Sequence, residues 1–304
     1  YRVIKRSRTL GELTRGQRCM GVAGTHGKTT TTSMITHILM EADMDPTVMI
    51  GGYLPLLNAG HRVGEGNTIV LESCEYCDSF LNFFPTIALI LNIEADHLDY
   101  FKDLQDVEKS FRNFANLASD KVLANGDDPH VVETLHGLDY ISFGLNTSNR
   151  VHAENVSDDW RHFDVICDGV LYCHVDMSVI GRHNALNALG AVATAWAIGI
   201  PGSAVVNGIK TFTGADRRMQ FKGMFNGAKV YDDYAHHPDE LAATIAAVRS
   251  MNAKRIVVAF QPHTYTRTHA LFDDFIEVFN KSLNRELRIK NDKYKVNYGI
   301  LKNT

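Results

Sequence analysis

Short apolar blocks alternate with longer amphipathic stretches through roughly the first two-thirds of the chain. Residues 19–23, 47–50, 68–72, 86–92 and 121–124 have strand length, and the unbroken apolar run 86–92 suits a central parallel strand buried on both faces. Between these blocks, a helix from Lys28 to about Ala42 carries Met34, Ile35, Ile38 and Leu39 on one face. Residues 78–84 read as a second helix and 106–119 as an amphipathic third. Strands alternating with helices predict a mostly parallel α/β sheet.

The period changes over 140–177, where short alternating segments at 151–156, 162–166 and 170–175 surround the turn Asp168-Gly169. Alternation joined by Asp-Gly predicts a small antiparallel extension of the sheet. An alanine-rich helix then opens at Gly181 and runs to about Ile198, followed by a helix over 203–211. A new unit begins at Gly214: a hairpin over 221–225 and 229–233 turning at Asn226-Gly227, a helix from Pro238 to Arg249, a parallel-type strand over 254–260 and a helix over 269–279. Residues 1–18 are polar and basic with a short helix near 9–13. Residues 281–304 are basic with little periodicity, as in a disordered tail or an out-of-frame sequence.

At 304 residues the chain exceeds what one core usually organises, so two domains are expected. A formal charge of −4 gives no polyanion-binding signature, so no nucleic acid partner is expected. No apolar run reaches membrane-spanning length and no signal-peptide core opens the chain, which reads as cytoplasmic, with no membrane or obligatory protein partner indicated. The five cysteines, Cys19, Cys74, Cys77, Cys167 and Cys173, do not form a disulfide framework. Cys74 and Cys77 have C-x-x-C spacing, yet Cys167 and Cys173 are too far apart to complete a zinc ribbon; reduced structural thiols are expected.

The chemistry concentrates where strands end. After 19–23 comes Gly24-Thr25-His26-Gly27-Lys28-Thr29-Thr30, a glycine loop entering a helix. Backbone N–H groups and the helix dipole favour a phosphate there, Lys28 reaches the outer phosphates, and the Thr29 hydroxyl suits Mg²⁺. The match to the phosphate-loop pattern is imperfect, with Val22 in place of its first glycine. Glu72 ends its strand either as the acidic residue that meets Mg²⁺ or as a solvated terminus. Gly51-Gly52 reads as a close approach to a ligand or as a turn. The cluster Asn92-Ile93-Glu94-Ala95-Asp96-His97 ends another strand, and His97 reads as a metal or phosphate contact or as a structural histidine. Asn184 and Asn187, one helical turn apart, serve as caps or as hydrogen-bonding partners of a purine edge.

Seven motifs occur in order: AGTHGKTTTTSM, VLESCEYCDSFL, LNIEADHLDYF, GRHNALNALGA, GADRRMQ, DDYAHHPDE and FQPHTYTRT. Together they resemble the Mur ligases over about residues 1–280. The resemblance implies a phosphate-loop ATPase domain followed by a truncated Rossmann-like α/β domain. It implies a remnant of an N-terminal domain over 1–18, a central domain over 19–213, a partial amino-acid domain over 214–280 and a divergent tail over 281–304. The implied reaction is ATP-dependent ligation of L-alanine to the carboxylate of UDP-N-acetylmuramate through an acyl phosphate, in peptidoglycan precursor synthesis. By the same resemblance Gly24, Thr25, His26, Gly27, Lys28, Thr29 and Thr30 hold the ATP phosphates. Thr29 and Glu72 take a first Mg²⁺, and His97 a second. Asn184 and Asn187 meet adenine, Arg218 meets the nucleotide, and Tyr234, His236, His263 and Arg267 form the alanine pocket. Arg112 stands near the place where sister ligases carry a modified lysine, so no such modification is expected. The 304 residues alone are expected not to ligate. The competing readings are a ligase recycling a muramyl tripeptide, a non-catalytic nucleotide-binding fragment, and a small-molecule kinase.

Overall fold

A computed structural model describes residues 3–251, 253–263 and 265–283, with 290–291 and 296–297. The chain divides into two units, residues 1–216 and 217–304.

The first unit opens with helix α1 (Arg6–Thr14) and is built on a sheet of ten strands. Strand β1 (Arg18–Ala23) lies between β4 (Thr68–Glu72) and β5 (Ile87–Ile90), parallel to both. Beyond β5 come β6 (Lys121–Asn125), β7 (Ile141–Gly144) and β8 (Val151–Glu154), all in parallel register. The antiparallel pair β9 (His162–Cys167) and β10 (Val170–Asp176) closes that edge, turning through Asp168 and Gly169, both at positive φ. The extension predicted from the alternating pattern is therefore present.

At the other edge, β2 (Thr47–Leu54) pairs parallel with β4 and antiparallel with β3 (Ala59–Arg62). Here the structure corrects the sequence reading: β2 runs through Gly51-Gly52 rather than stopping before them, and the return strand β3 was not foreseen. The segment 59–62 reads Ala-Gly-His-Arg, with none of the β-branched or aromatic residues that mark a strand, so only pairing creates it.

β1 alternates between the faces, as a buried strand must. Met20 and Val22 face a core shared with α2 (Lys28–Glu41), α5 (Arg182–Ala197) and α6 (Gly202–Thr211). Cys19 and Ala23 face the opposite core, with Phe80 and with Phe111 and Phe114 of α3 (Leu104–Asn116), and α4 (Pro129–Thr134) completes that layer. Phe80 stacks flat on Phe114 at 4.6 Å between ring centres. Asp103 caps α3 and Asp128 caps α4, which pins the entry of each helix.

Two helix readings change. α2 is not one-sided: it is buried from Thr29 to Leu39, threonines included, because α5 and α6 cover what would otherwise be its polar face. Ser33 and Thr36 satisfy their hydroxyls on the carbonyls of Thr29 and Thr32, at 2.7 and 2.8 Å. The predicted helix over 78–84 is instead a 3₁₀ stretch, Tyr76–Asn82, interrupted by Cys77 and Asp78, both at φ 53°. Side-chain anchors explain the break, since Asp78 accepts from Ser110 Oγ and from Tyr100 Oη.

In the second unit, β11 (Gln220–Phe225) and β12 (Ala228–Asp232) form the expected hairpin over Asn226-Gly227, both at positive φ. Helices α7 (Pro238–Ser250), α8 (Tyr265–Ala270) and α9 (Phe272–Leu283) follow. Leu241, Ile245, Phe275 and Phe279 form a small core that Phe260 joins, 5.3 Å from Phe275 and 5.5 Å from Phe279. The strand predicted over 254–260 is not formed; among the described residues no neighbouring strand supplies the ladder hydrogen bonds that define one. The basic-tail reading over 281–304 falls largely outside the described residues, apart from the end of α9 and the paired segments Lys290–Asn291 and Val296–Asn297. No helix among the described residues is long and apolar enough to cross a membrane.

Candidate nucleotide site

The parallel register brings the carboxyl ends of β1, β4 and β5 side by side, with Val22 opposite Glu72 and Ala23 opposite Ile90. Everything that follows those strands meets at one edge of the sheet, the place where open α/β sheets receive ligands. The glycine loop leaves β1 there. Gly24 sits at φ 149° and Gly27 at φ 84°, conformations that side chains disfavour.

Asn92, just past β5, clamps the loop from one side. Its Oδ1 accepts from the His26 N–H at 2.7 Å, and its Nδ2 donates to the His26 carbonyl at 3.0 Å. Thr25 Oγ1 accepts from the Glu94 N–H at 2.9 Å, and the His26 ring meets the Glu94 carboxylate at 2.9 Å. On the other side lies α5. Asn187 is buried, and a Cβ on Gly27 would stand 2.3 Å from its Oδ1. Asn184, also buried, donates to the Ile180 carbonyl at 2.8 Å.

Lys28 begins α2, and its ammonium folds back over the loop. It donates to the carbonyls of Gly24 and Thr25, the latter at 3.1 Å, and to both oxygens of Glu75 at 3.0 and 3.1 Å. Burial pushes the lysine pKa down, but the attraction of Glu75, with further help from neighbouring groups, outweighs it and leaves the pKa raised. The lysine is therefore charged at neutral pH. Thr29 Oγ1 lies 3.0 Å from the Glu72 carboxylate, which also accepts from the Gly51 N–H at 2.8 Å. The run of β2 through Gly51 is thus what fixes Glu72, and a Cβ at Gly51 would sit 2.9 Å from that carboxylate.

His97 stands at φ 56°, with its Nε2 3.9 Å from Glu75 and its ring 4.7 Å from that of Tyr76. Tyr76 in turn donates to Asp99 at 2.9 Å. A hydroxyl, carboxylates and an imidazole at one sheet edge make a hard oxygen-rich donor set with a nitrogen ligand. That chemistry fits Mg²⁺ beside phosphate. Arg112, by contrast, is spent on structure, donating to the carbonyls of Thr134 and His136 at 2.6 and 3.1 Å.

Sequence reasoning singled out neither Asn92 as a clamp nor Glu75 at all. Glu75 follows Glu72 by three residues in the same motif and could have been weighed as a second acidic candidate. Its partner, however, is set only by the sheet order.

The other predicted residues lie in the second unit. Arg218 reaches over the Tyr234 ring at 5.4 Å and approaches Glu240 at 3.6 Å. The rings of Tyr234 and His236 are 4.9 Å apart, and those of His236 and His263 are 6.4 Å apart. Burial holds the His236 pKa below its usual value; Arg267 and Arg218 push the same way, against Glu240 and a backbone hydrogen bond. Glu240 accepts from the His236 N–H at 2.9 Å, which ties this loop to the start of α7. The second unit thus gathers Arg218, Tyr234, His236 and His263, with Arg267 within electrostatic reach.

The family profile described as Mur ligase middle domain matches residues 22–195, more than half of the chain. The chain belongs to the Mur ligase family. A second profile, described as Mur ligase, glutamate ligase domain, matches residues 217–288 of this Mur ligase chain. The UDP-N-acetylmuramate–L-alanine ligase of Clostridium acetobutylicum is 41% identical over 286 residues, covering 91% of the chain and 62% of the relative. The crystal structure of UDP-N-acetylmuramate–alanine ligase from Thermotoga maritima superposes with a TM-score of 0.77 at 26% identity, covering 91% of this chain and 62% of that one. The UDP-N-acetylmuramate:L-alanyl-γ-D-glutamyl-meso-diaminopimelate ligase of Neisseria meningitides gives a TM-score of 0.63 at 27% identity, covering 69% of this chain and 71% of that one. The chain spans about 62% of the length of the curated relatives it matches. Mur ligases are ATP-dependent carbon–nitrogen ligases.

Proposed function

We propose that this Mur ligase chain carries the ATP site and amino-acid loops of an enzyme that joins L-alanine to the carboxylate of UDP-N-acetylmuramate. The observation that carries the reading is the assembly of Lys28, Thr29 and Glu72 at the adjacent ends of β1 and β4. It stands beside 41% identity to a protein named for that reaction.

A carboxylate does not accept an amine at neutral pH, because the group that must leave is oxide or hydroxide. Transfer of the γ-phosphoryl group of ATP to a carboxylate oxygen, with ADP departing, converts it to an acyl phosphate. The α-amine of alanine then attacks the acyl carbon, the carbon–oxygen bond to phosphate breaks, and the amine loses a proton. Lys28 and the N–H groups of the loop hold the phosphates and offset their charge. Thr29 and Glu72 would hold one Mg²⁺ and His97 a second. Bound there, Mg²⁺ supplies charge neutralisation between two anions that otherwise repel. Asn184 and Asn187 are assigned to adenine, with Asn187 already seated against the loop that receives the phosphates. Arg218 is assigned to the nucleotide. Tyr234, His236 and His263 are assigned to the incoming alanine, and Arg267 to its carboxylate. The reaction is assigned to the cytoplasm, where ATP and a nucleotide-linked precursor are at hand.

The test is phosphate release from ATP by the intact gene product with UDP-N-acetylmuramate present. Release that depends on L-alanine is expected. Release driven by L-alanyl-γ-D-glutamyl-diaminopimelate and not by alanine would instead make the chain a peptide ligase, the activity for which the Neisseria protein is named.

A further inference from the structure

Glu75 is the least exposed carboxylate at the site, with only 3% of its side chain accessible, and it faces two cationic or cation-binding groups at once. Both its oxygens accept from Lys28, and its Oε1 lies 3.9 Å from His97 Nε2. An ammonium has three donors, and in this structure all three have acceptors: the Gly24 carbonyl, the Thr25 carbonyl and the Glu75 carboxylate. A phosphate cannot reach the lysine without displacing one of them. Two of the three are carbonyls of the loop that must itself cradle the phosphate, so the carboxylate is the partner that can yield.

We propose that Glu75 is an exchangeable counter-ion of Lys28, which pairs with the lysine until nucleotide phosphates displace it toward His97. The proposal deepens the ATP-site reading and rests on it. A buried carboxylate stripped of its cation carries a heavy desolvation penalty, so it must find another positive charge nearby. The His97 side lies nearest, its Nε2 already 3.9 Å from Glu75 Oε1. Glu75 is therefore a positioning residue. Before binding it keeps Lys28 charged and folded over the loop, and after binding its charge serves the side of the site where His97 stands. The cost of this arrangement is competition, because every nucleotide bound must break the Lys28–Glu75 pair.

Glu75→Gln keeps the shape and hydrogen-bonding capacity but removes the charge. Equilibrium binding of ATP with Mg²⁺ to the 304-residue chain is expected to tighten about tenfold in this variant. The empty variant should melt lower than wild type, and saturating ATP should raise its melting temperature by more than it raises that of wild type. Weaker or unchanged binding would overturn the proposal, leaving Glu75 as a fixed support of the loop. Glu75→Asp guards against misfolding of the first variant. It retains the charge on a shorter arm, so loosened pairing with Lys28 should again tighten ATP binding, and weakened binding would count against the proposal. Lys28→Ala separates the two readings. If wild type binds no ATP, the ATP-site reading itself fails; if wild type binds, Lys28→Ala does not, and Glu75→Gln gains nothing, only the counter-ion proposal falls.

Discussion

At Gly27 two constraints coincide: the backbone sits at φ 84°, and the space a methyl would occupy is taken by Asn187 Oδ1 at 2.3 Å. Gly27→Ala must therefore push α5 from the loop or flatten the turn, at a cost of about 1–3 kcal/mol. The expected outcome is a lower denaturation midpoint together with weakened ATP binding; a variant that binds ATP like wild type would show that the contact with Asn187 is incidental. Residues such as Lys28 and Thr29 were legible in the sequence because a strand, a glycine loop and a helix start are local, and their order alone aims the lysine. Glu75 was not, because a glutamate three residues after a strand end is unremarkable until sheet order lays β4 beside β1. Asn92 was hidden for the same reason: its role is read only from the register of β1 and β5.

Among the elements, α2 illustrates how far local pattern reaches. Its limits were nearly readable, but its burial on all sides was not, because four consecutive threonines look like a solvent face until α5 and α6 are packed against the helix. Gly208 allows that approach: a Cβ there would stand 2.6 Å from the Cα of Ile38. Gly208→Val should force the two helices apart and destabilise the chain by roughly 1–3 kcal/mol or more, read as a shift in the urea midpoint. The same contact buries His37, whose Nδ1 meets Thr211 Oγ1 at 2.8 Å and whose ring lies edge-on to Phe212. Burial lowers its pKa from 6.5 to about 4, so the folded chain holds it neutral while the unfolded chain takes up a proton first. This contribution is fully present above pH 6.5 and is lost as pH falls toward about 4. Near pH 5 the loss reaches about 2 kcal/mol. Urea titrations at pH 7 and pH 5 should show this extra acid sensitivity in wild type and not in His37→Gln; equal sensitivity in both would place the proton uptake elsewhere. The segment 254–260 marks the opposite failure, where an apolar run of strand composition finds no ladder partner among the described residues and Phe260 is used in a helical core instead.

For the molecule as a whole, alternation of strand and helix was enough to foresee a parallel sheet with an antiparallel edge, because each block carries its own period. The β2–β3 edge escaped, and with it the reason that Glu72 points where it does. The central claim of the proposed function is that the loop between β1 and α2 receives the triphosphate, with Lys28 as its principal cation. Isothermal titration of ATP with Mg²⁺ into wild type and Lys28→Ala, with circular dichroism to show that both are folded, tests this most directly. Saturable binding to wild type and a loss of about a hundredfold or more in the variant is the result expected, given the worth of a charge-assisted contact in a buried site. Equal affinity in the two folded proteins would contradict it and remove the loop from the nucleotide site.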